Sequence, residues 1–166
     1  MTTDYTNSEY GILHSPHQAY MMRALQEAEK ALRHDEVPVG AVIVKDHLVI
    51  GRGYNQVEQL TDPTAHAEMI ALSSATEYLG EKYLSGCTLY VTLEPCPMCA
   101  GALVWSKIDR VVFGAMDDSA GASGSLFNIT RNKKLNHQIE IIQGVLEQDC
   151  KLLLNEFFGS KRGQSR

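Results

Sequence analysis

No stretch of the chain approaches the roughly 18 apolar residues that a membrane helix needs; runs such as Gly40–Val44 and Leu89–Val91 fall far short of it. Nothing is expected to cross a bilayer. The start, Met1-Thr2-Thr3-Asp4-Tyr5-Thr6-Asn7-Ser8-Glu9, lacks the positive opening and apolar middle of a secretory signal, so a cytoplasmic location is expected. Proline is scarce at five residues, and no repeat or low-complexity tract appears, which excludes collagen-like and Pro-rich disordered chains. There are only four cysteines, at 87, 96, 99 and 150, and in a reducing compartment these point to metal binding or catalysis before disulfides. An excess of positive charge is also missing: 15 Lys/Arg against 20 Asp/Glu give −5, which by itself argues against a nucleic-acid partner.

That average hides an asymmetry. Residues 1–130 carry eight Lys/Arg and sixteen Asp/Glu, net −8, whereas residues 131–166 carry seven and four, net +3. A polyanion would meet the carboxyl-terminal fifth, including Arg131, Lys133, Lys134, Lys161, Arg162 and Arg166; the alternative is a solvated basic face. With 44% hydrophobic residues, a chain of 166 residues can bury one substantial core. The organisation expected is a loose leader over residues 1–15, a single domain over 16–159 and a basic tail over 160–166.

Within the domain, Ser15-Pro16-His17-Gln18 has the form of a capping box with Pro at the first helical position. Met21, Ala24, Leu25, Ala28, Ala31 and Leu32 then recur at helical spacing, predicting a helix that ends near Arg33. Val39–Lys45 and Leu48–Tyr54 read as a β-hairpin turning over Asp46-His47. A helix over Ala65–Tyr78, a strand over Thr88–Thr92, a helix over Pro97–Lys107 and a strand over Arg110–Gly114 follow. The Gly/Ser-rich stretch 115–138 holds at most a short helix near Leu126–Thr130, before a strand at Ile139–Gln143 and an amphipathic helix over Leu146–Phe158. Helices alternating with strands predict an α/β fold, a three-layer α/β/α sandwich.

Cys96-Pro97-Met98-Cys99 opens one of these helices, so two sulfurs three residues apart share one face of its first turn. Taken alone, the motif fits metal ligation, thioredoxin-like chemistry or coincidence equally. His66-Ala67-Glu68 opens the preceding helix. Positions two apart lie about 200° apart around a helix, so His66 and Glu68 cannot both grip one ion and must do different work. His66 suits zinc, and Glu68 is left to act on whatever is bound beside the metal. His66, Cys96 and Cys99 supply three ligands where structural zinc normally has four, which implies a position for water, made nucleophilic by the metal. Glu68 is then the natural general acid/base. Cys87 and Cys150 read as buried small residues.

His66-Ala67-Glu68 with Pro95-Cys96-Pro97-Met98-Cys99 resembles the H-x-E and P-C-x-x-C signature of the zinc-dependent cytidine and purine deaminases. Further stretches narrow the resemblance: Glu36-Val37-Pro38-Val39-Gly40-Ala41-Val42, Asp62-Pro63-Thr64, Thr88–Glu94, Val112–Ala115, Gly124-Ser125-Leu126 and Leu135-Asn136-His137. Together, from about Ala19 to Phe158, they look like the bacterial tRNA-specific adenosine deaminases, which act at the wobble position of an anticodon loop. The resemblance implies a cytidine deaminase-like fold with a mixed five-stranded sheet, one Zn2+ per subunit on His66, Cys96 and Cys99, Glu68 as proton shuttle, tRNA as partner and a homodimer.

It also implies that Asn55 meets the purine and its sugar, that Val39 and the Ala67 backbone line the pocket, that Asp117 touches flanking nucleotides and that Phe157 and Phe158 shape the channel for the loop. Each has a structural alternative: Asn55 closing a strand end, Asp117 capping a turn, the phenylalanines filling a core. Met116 stands where that family often carries a basic residue. Three rival functions stay open on the residues alone: a free-base or nucleoside deaminase acting on guanine, cytosine or cytidine, a non-enzymatic zinc module, and a redox dithiol protein.

Overall fold

A computed structural model describes residues 15–164 of the chain. Residues 1–14, nearly all of the expected leader, and Arg166 of the expected tail lie outside the described residues. The first helix, α1 (Pro16–Arg33), begins as its sequence dictates: Ser15 Oγ accepts from the Gln18 N–H at 3.2 Å, and Gln18 Oε1 accepts from the Ser15 N–H at 3.0 Å. Then come β1 (Gly40–Lys45), β2 (Leu48–Tyr54), a single turn α2 (Val57–Leu60), α3 (Ala67–Leu79), β3 (Cys87–Leu93), α4 (Pro97–Trp105), β4 (Arg110–Ala115), β5 (Glu140–Gln143) and α5 (Glu147–Gln164).

The strands form one five-stranded sheet in the order β2-β1-β3-β4-β5. β1 pairs antiparallel with both β2 and β3, whereas β3–β4 and β4–β5 are parallel, so the sheet is mixed. Alternation along each strand builds two cores. Ala41, Ile43, Leu89, Val91, Val111 and Phe113 pack with α3 and α4 residues such as Ala71 and Leu103. Val42, Val44, Tyr90 and Val112 pack on the opposite face with Met21 and Ala24 of α1 and Cys150 of α5. The result is the expected α/β/α sandwich. Among the described residues no helix is long and apolar enough to cross a membrane.

Close approach of the layers depends on glycine. A Cβ at Gly40 would stand 2.1 Å from the Ala24 carbonyl oxygen of α1, and one at Gly53 would stand 2.2 Å from that of Ala67 in α3. Three expectations need correction. No helix forms near Leu126–Thr130; that stretch is irregular, with one bridge between Ser123 and Asn128. α2 was not foreseen, being too short to show a period. α5 does not stop at Phe158 but continues through Gln164, so Ser160, Lys161 and Arg162 sit on its last turns rather than in a separate tail.

Candidate active site

Register decides where the site lies. Gly40 pairs with Tyr54, Ala41 with Val91 and Leu93 with Ala115, so the start of β1 and the ends of β2, β3 and β4 share one edge of the sheet. The segments leaving that edge carry Val39, Asn55, His66, Glu94, Cys96 and Asp117. Parallel strands place ligand sites at such carboxyl ends, where helix amino-termini also point.

His66 and Cys96 are the N-cap residues of α3 and α4, with extended backbones at φ −75°, ψ 153° and φ −71°, ψ 172°. His66 is therefore just outside the helix that the sequence suggested would include it, and Glu68 occupies the first turn. His66 Nδ1 lies 3.6 Å from the sulfurs of both Cys96 and Cys99, and the three donor atoms fall within 4.8 Å of one another. Zinc–sulfur and zinc–nitrogen bonds of about 2.3 and 2.05 Å meeting at a tetrahedral angle would set S and N about 3.6 Å apart. The donor set and its spacing thus fit zinc. Cys87 and Cys150 are buried elsewhere, in β3 and α5, as expected.

Electrostatics at the triad follow from burial and proton sharing. The Cys96 thiol is pulled down to about 4, first by its hydrogen bond with Cys99 and also by His66. Cys99 keeps the shared proton and is pushed up by that bond and by burial, while His66 is raised by its hydrogen bond with the Cys96 sulfur. Glu68 is 4% exposed, and burial pushes its carboxyl up to about 7, with the Cys96 charge adding to the rise. A carboxyl in that range can both take and give a proton near neutral pH.

A cavity of about 590 Å3 opens over these groups, within the size range of small-molecule sites. Val39, Asn55, His66, Glu68, Cys96, Asp117 and Phe157 line it. Asn55 Oδ1 accepts from the Ala67 N–H at 2.9 Å, so Asn55 fixes the start of α3 with its oxygen, leaving its amide N–H groups as its donors. Ala67 is fully buried and does not line the cavity. Asp117 Oδ1 accepts from the Ser119 N–H and hydroxyl at 3.0 and 2.7 Å and from the Ala120 N–H at 3.1 Å, a turn cap at the cavity wall. Phe158 lines a neighbouring recess of about 550 Å3 with Met116 and Lys151, while Phe157 faces the main cavity.

Glu94 was missed by sequence reasoning. It is 2% exposed, and its carboxylate accepts from the N–H groups of Ser123, Ser125 and Asp117 at 3.1, 3.0 and 3.0 Å and from the Ser125 hydroxyl. One buried carboxylate so gathers the loop after β4 against the cavity. The available signal was a charged residue at a strand-to-helix junction two positions before a ligating cysteine, but its partners lie about thirty residues on and leave no local pattern.

Residues 14–115 match the family described as the cytidine and deoxycytidylate deaminase zinc-binding region. A tRNA-specific adenosine deaminase of Bacillus subtilis (strain 168) is 47% identical over 147 residues, covering 89% of this chain and 91% of its own. One from Aquifex aeolicus (strain VF5) is 49% identical over 143 residues, covering 86% and 94%. Among solved structures, one from work on A-to-I editing by tRNA:A34 deaminases is similar at TM-score 0.79 and 41% identity, covering 82% of this chain and 99% of that one. A guanine deaminase from Nitrosomonas europaea is similar at TM-score 0.75 and 28% identity, covering 89% and 87%. With the triad spaced for zinc and this agreement over most of its length, the chain belongs to the zinc-binding cytidine and deoxycytidylate deaminase family, alongside its tRNA-specific adenosine deaminases.

Proposed function

We propose that the protein hydrolytically deaminates adenosine to inosine at the wobble position of a tRNA anticodon loop, in the cytoplasm and as a homodimer. The observation that carries the reading is the buried carboxyl of Glu68 beside a His66–Cys96–Cys99 triad at zinc spacing, in a chain 47–49% identical to tRNA-specific adenosine deaminases. Zinc held by His66, Cys96 and Cys99 supplies the acidity that makes water a nucleophile near neutral pH. Glu68 takes the proton of the attacking water and delivers it to N1 of the adenine ring as oxygen adds to C6. It then takes the remaining proton from the C6 hydroxyl as the carbonyl forms and hands it to the departing amino group, so that the C6–N bond breaks and ammonia leaves. One carboxyl acts as base and then as acid.

Asn55 presents its amide N–H groups to the purine or its sugar, and Val39 packs on the base. Ala67 contributes through its backbone bond to Asn55, which holds the cap of α3. Asp117, and Phe158 in the adjoining recess, receive the flanking nucleotides. The target base must leave its stack to enter, at a cost of a few kcal/mol that is smallest for an unpaired loop nucleotide. A homodimer is expected to show twice the 18.4 kDa chain mass by light scattering.

The likeness to a guanine deaminase at TM-score 0.75 keeps one other reading in view, since the zinc triad alone does not choose the base. Inosine formation in an arginine tRNA anticodon stem-loop, compared with ammonia release from free guanine, cytosine and cytidine, separates them. Turnover of the RNA alone is expected. Turnover of a free base without the RNA would replace the proposal.

A further inference from the structure

Six carboxylates line the cavity, Asp35, Glu36, Glu58, Glu68, Glu94 and Asp117, and among its described lining residues Lys161 is the only lysine or arginine. That is a poor surface for a polyanion, and most of these acids are engaged. Glu36 accepts from the Gln59 N–H at 2.8 Å, Glu94 gathers its loop and Asp117 caps its turn. Lys161 Nζ lies 2.6 Å from Asp35 Oδ2, joining residues 126 apart in sequence, and sits 5.5 Å from the centre of the Phe157 ring. The ion pair therefore ties the end of α5 to the turn after α1 at the cavity wall.

From this geometry we infer that Lys161 is the anchor for a backbone phosphate beside the nucleotide that enters the cavity, and that Asp35 is its placeholder, displaced when the phosphate arrives. The inference rests on the RNA reading above. Both side chains are substantially exposed, Lys161 at 39% and Asp35 at 74%, and an ion pair so placed is weakly held. A phosphate in charge-assisted contact with the ammonium replaces it without loss. Phe157, 8% exposed, keeps the lysine stem on the wall during the exchange. Asp35 is positioned by its backbone: its N–H donates to the Leu32 carbonyl at 3.1 Å, and its φ of 58° is one that Asn also adopts readily. Asp35→Asn therefore removes the charge and keeps the turn.

The test is binding of an adenosine-containing anticodon stem-loop to zinc-loaded full-length protein over a salt series, with D35N, K161Q and the double variant, each also melted. D35N is expected to bind about two- to five-fold tighter, because the competing carboxylate is gone. K161Q is expected to bind several-fold more weakly, with the slope of log affinity against log salt smaller by about 0.7, one phosphate contact on a single strand. The double variant should match K161Q alone. If D35N weakens binding as K161Q does, with a matched fall in melting temperature, the pair is a strut and the inference fails. Unchanged affinity in K161Q while the wild type still forms inosine overturns the phosphate anchor alone. A wild type that neither binds nor deaminates the stem-loop overturns the RNA reading and the inference together.

Discussion

Glu68 and Glu94 are both buried carboxyls at 4% and 2% exposure, yet their surroundings assign them opposite work. Burial dominates at Glu68 and pushes it up to about 7, where a carboxyl is able both to take and to give a proton. Glu94 is saturated by four donors and holds a loop. Replacing Glu68 by Gln keeps shape and removes the exchangeable proton, so zinc content should stay at one per chain while inosine formation drops by about a hundredfold or more. Full zinc with turnover within a few-fold of wild type would remove Glu68 from the reaction. Glu94→Gln has a different signature. Its amide cannot accept at both ends, and the orientation that loses least leaves the Asp117 N–H without an acceptor, costing about 1–3 kcal/mol in denaturant unfolding. KM for the RNA should rise more than kcat falls; an unchanged KM would mean that the loop does not meet substrate. The residue pairings of the zinc site were legible in sequence because His66 and the cysteines open consecutive helices. Glu94 was not, because its partners are scattered through a loop with no periodicity.

Elements with their own local signals came out close to expectation: the capping box starts α1, Pro97 starts α4, and β2 spans Leu48–Tyr54 as the hairpin reading predicts. Where distant contacts decide, local reading fell short. The last helix is expected to end at Phe158, but α5 runs past it, and there Ser160 Oγ donates to the Phe157 carbonyl at 2.8 Å while Lys161 reaches Asp35. The stretch 126–130 has helix-compatible residues, but Glu94 draws the neighbouring backbone N–H groups of Ser123 and Ser125 inward, leaving the loop irregular. Gly53 tests how strictly the layers set the site. An added methyl would meet the Ala67 carbonyl oxygen at 2.2 Å and the Ala71 nitrogen at 2.7 Å, both backbone atoms of α3. Gly53→Ala should destabilise the fold by about 2–3 kcal/mol in urea unfolding. It should also lower kcat, because α3 carries Glu68 and is capped by His66. A change within about 0.5 kcal/mol would mean that the layer shifts freely.

At the scale of the whole molecule, the two faces of the sheet divide labour. One buries α3 and α4, whose tips meet at the triad; the other buries α1 and α5 over Tyr90 and Cys150. Burial holds the Tyr90 hydroxyl and the Cys150 thiol protonated, raising each from its ordinary 10.0 and 9.0 to about 12. The folded state therefore keeps protons that the unfolded chain releases. Stability should be full below about pH 9 and fall towards pH 12, by at most about 1.4 kcal/mol per pH unit for each group. Urea midpoints at pH 8, 10 and 11 check this, Tyr90→Phe should flatten its share, and a level profile would contradict it. The alternating α/β layers were legible from the order of patterned segments, whereas the strand order and the shared edge of the sheet are set by pairings that no local window contains. That shared edge brings His66 to Cys96 and Cys99, and zinc-edge X-ray absorption on the full protein in solution tests it most directly. The expected spectrum has two sulfurs at about 2.3 Å with one imidazole nitrogen and one further light atom. A third sulfur, or zinc bound without sulfur, would contradict the account.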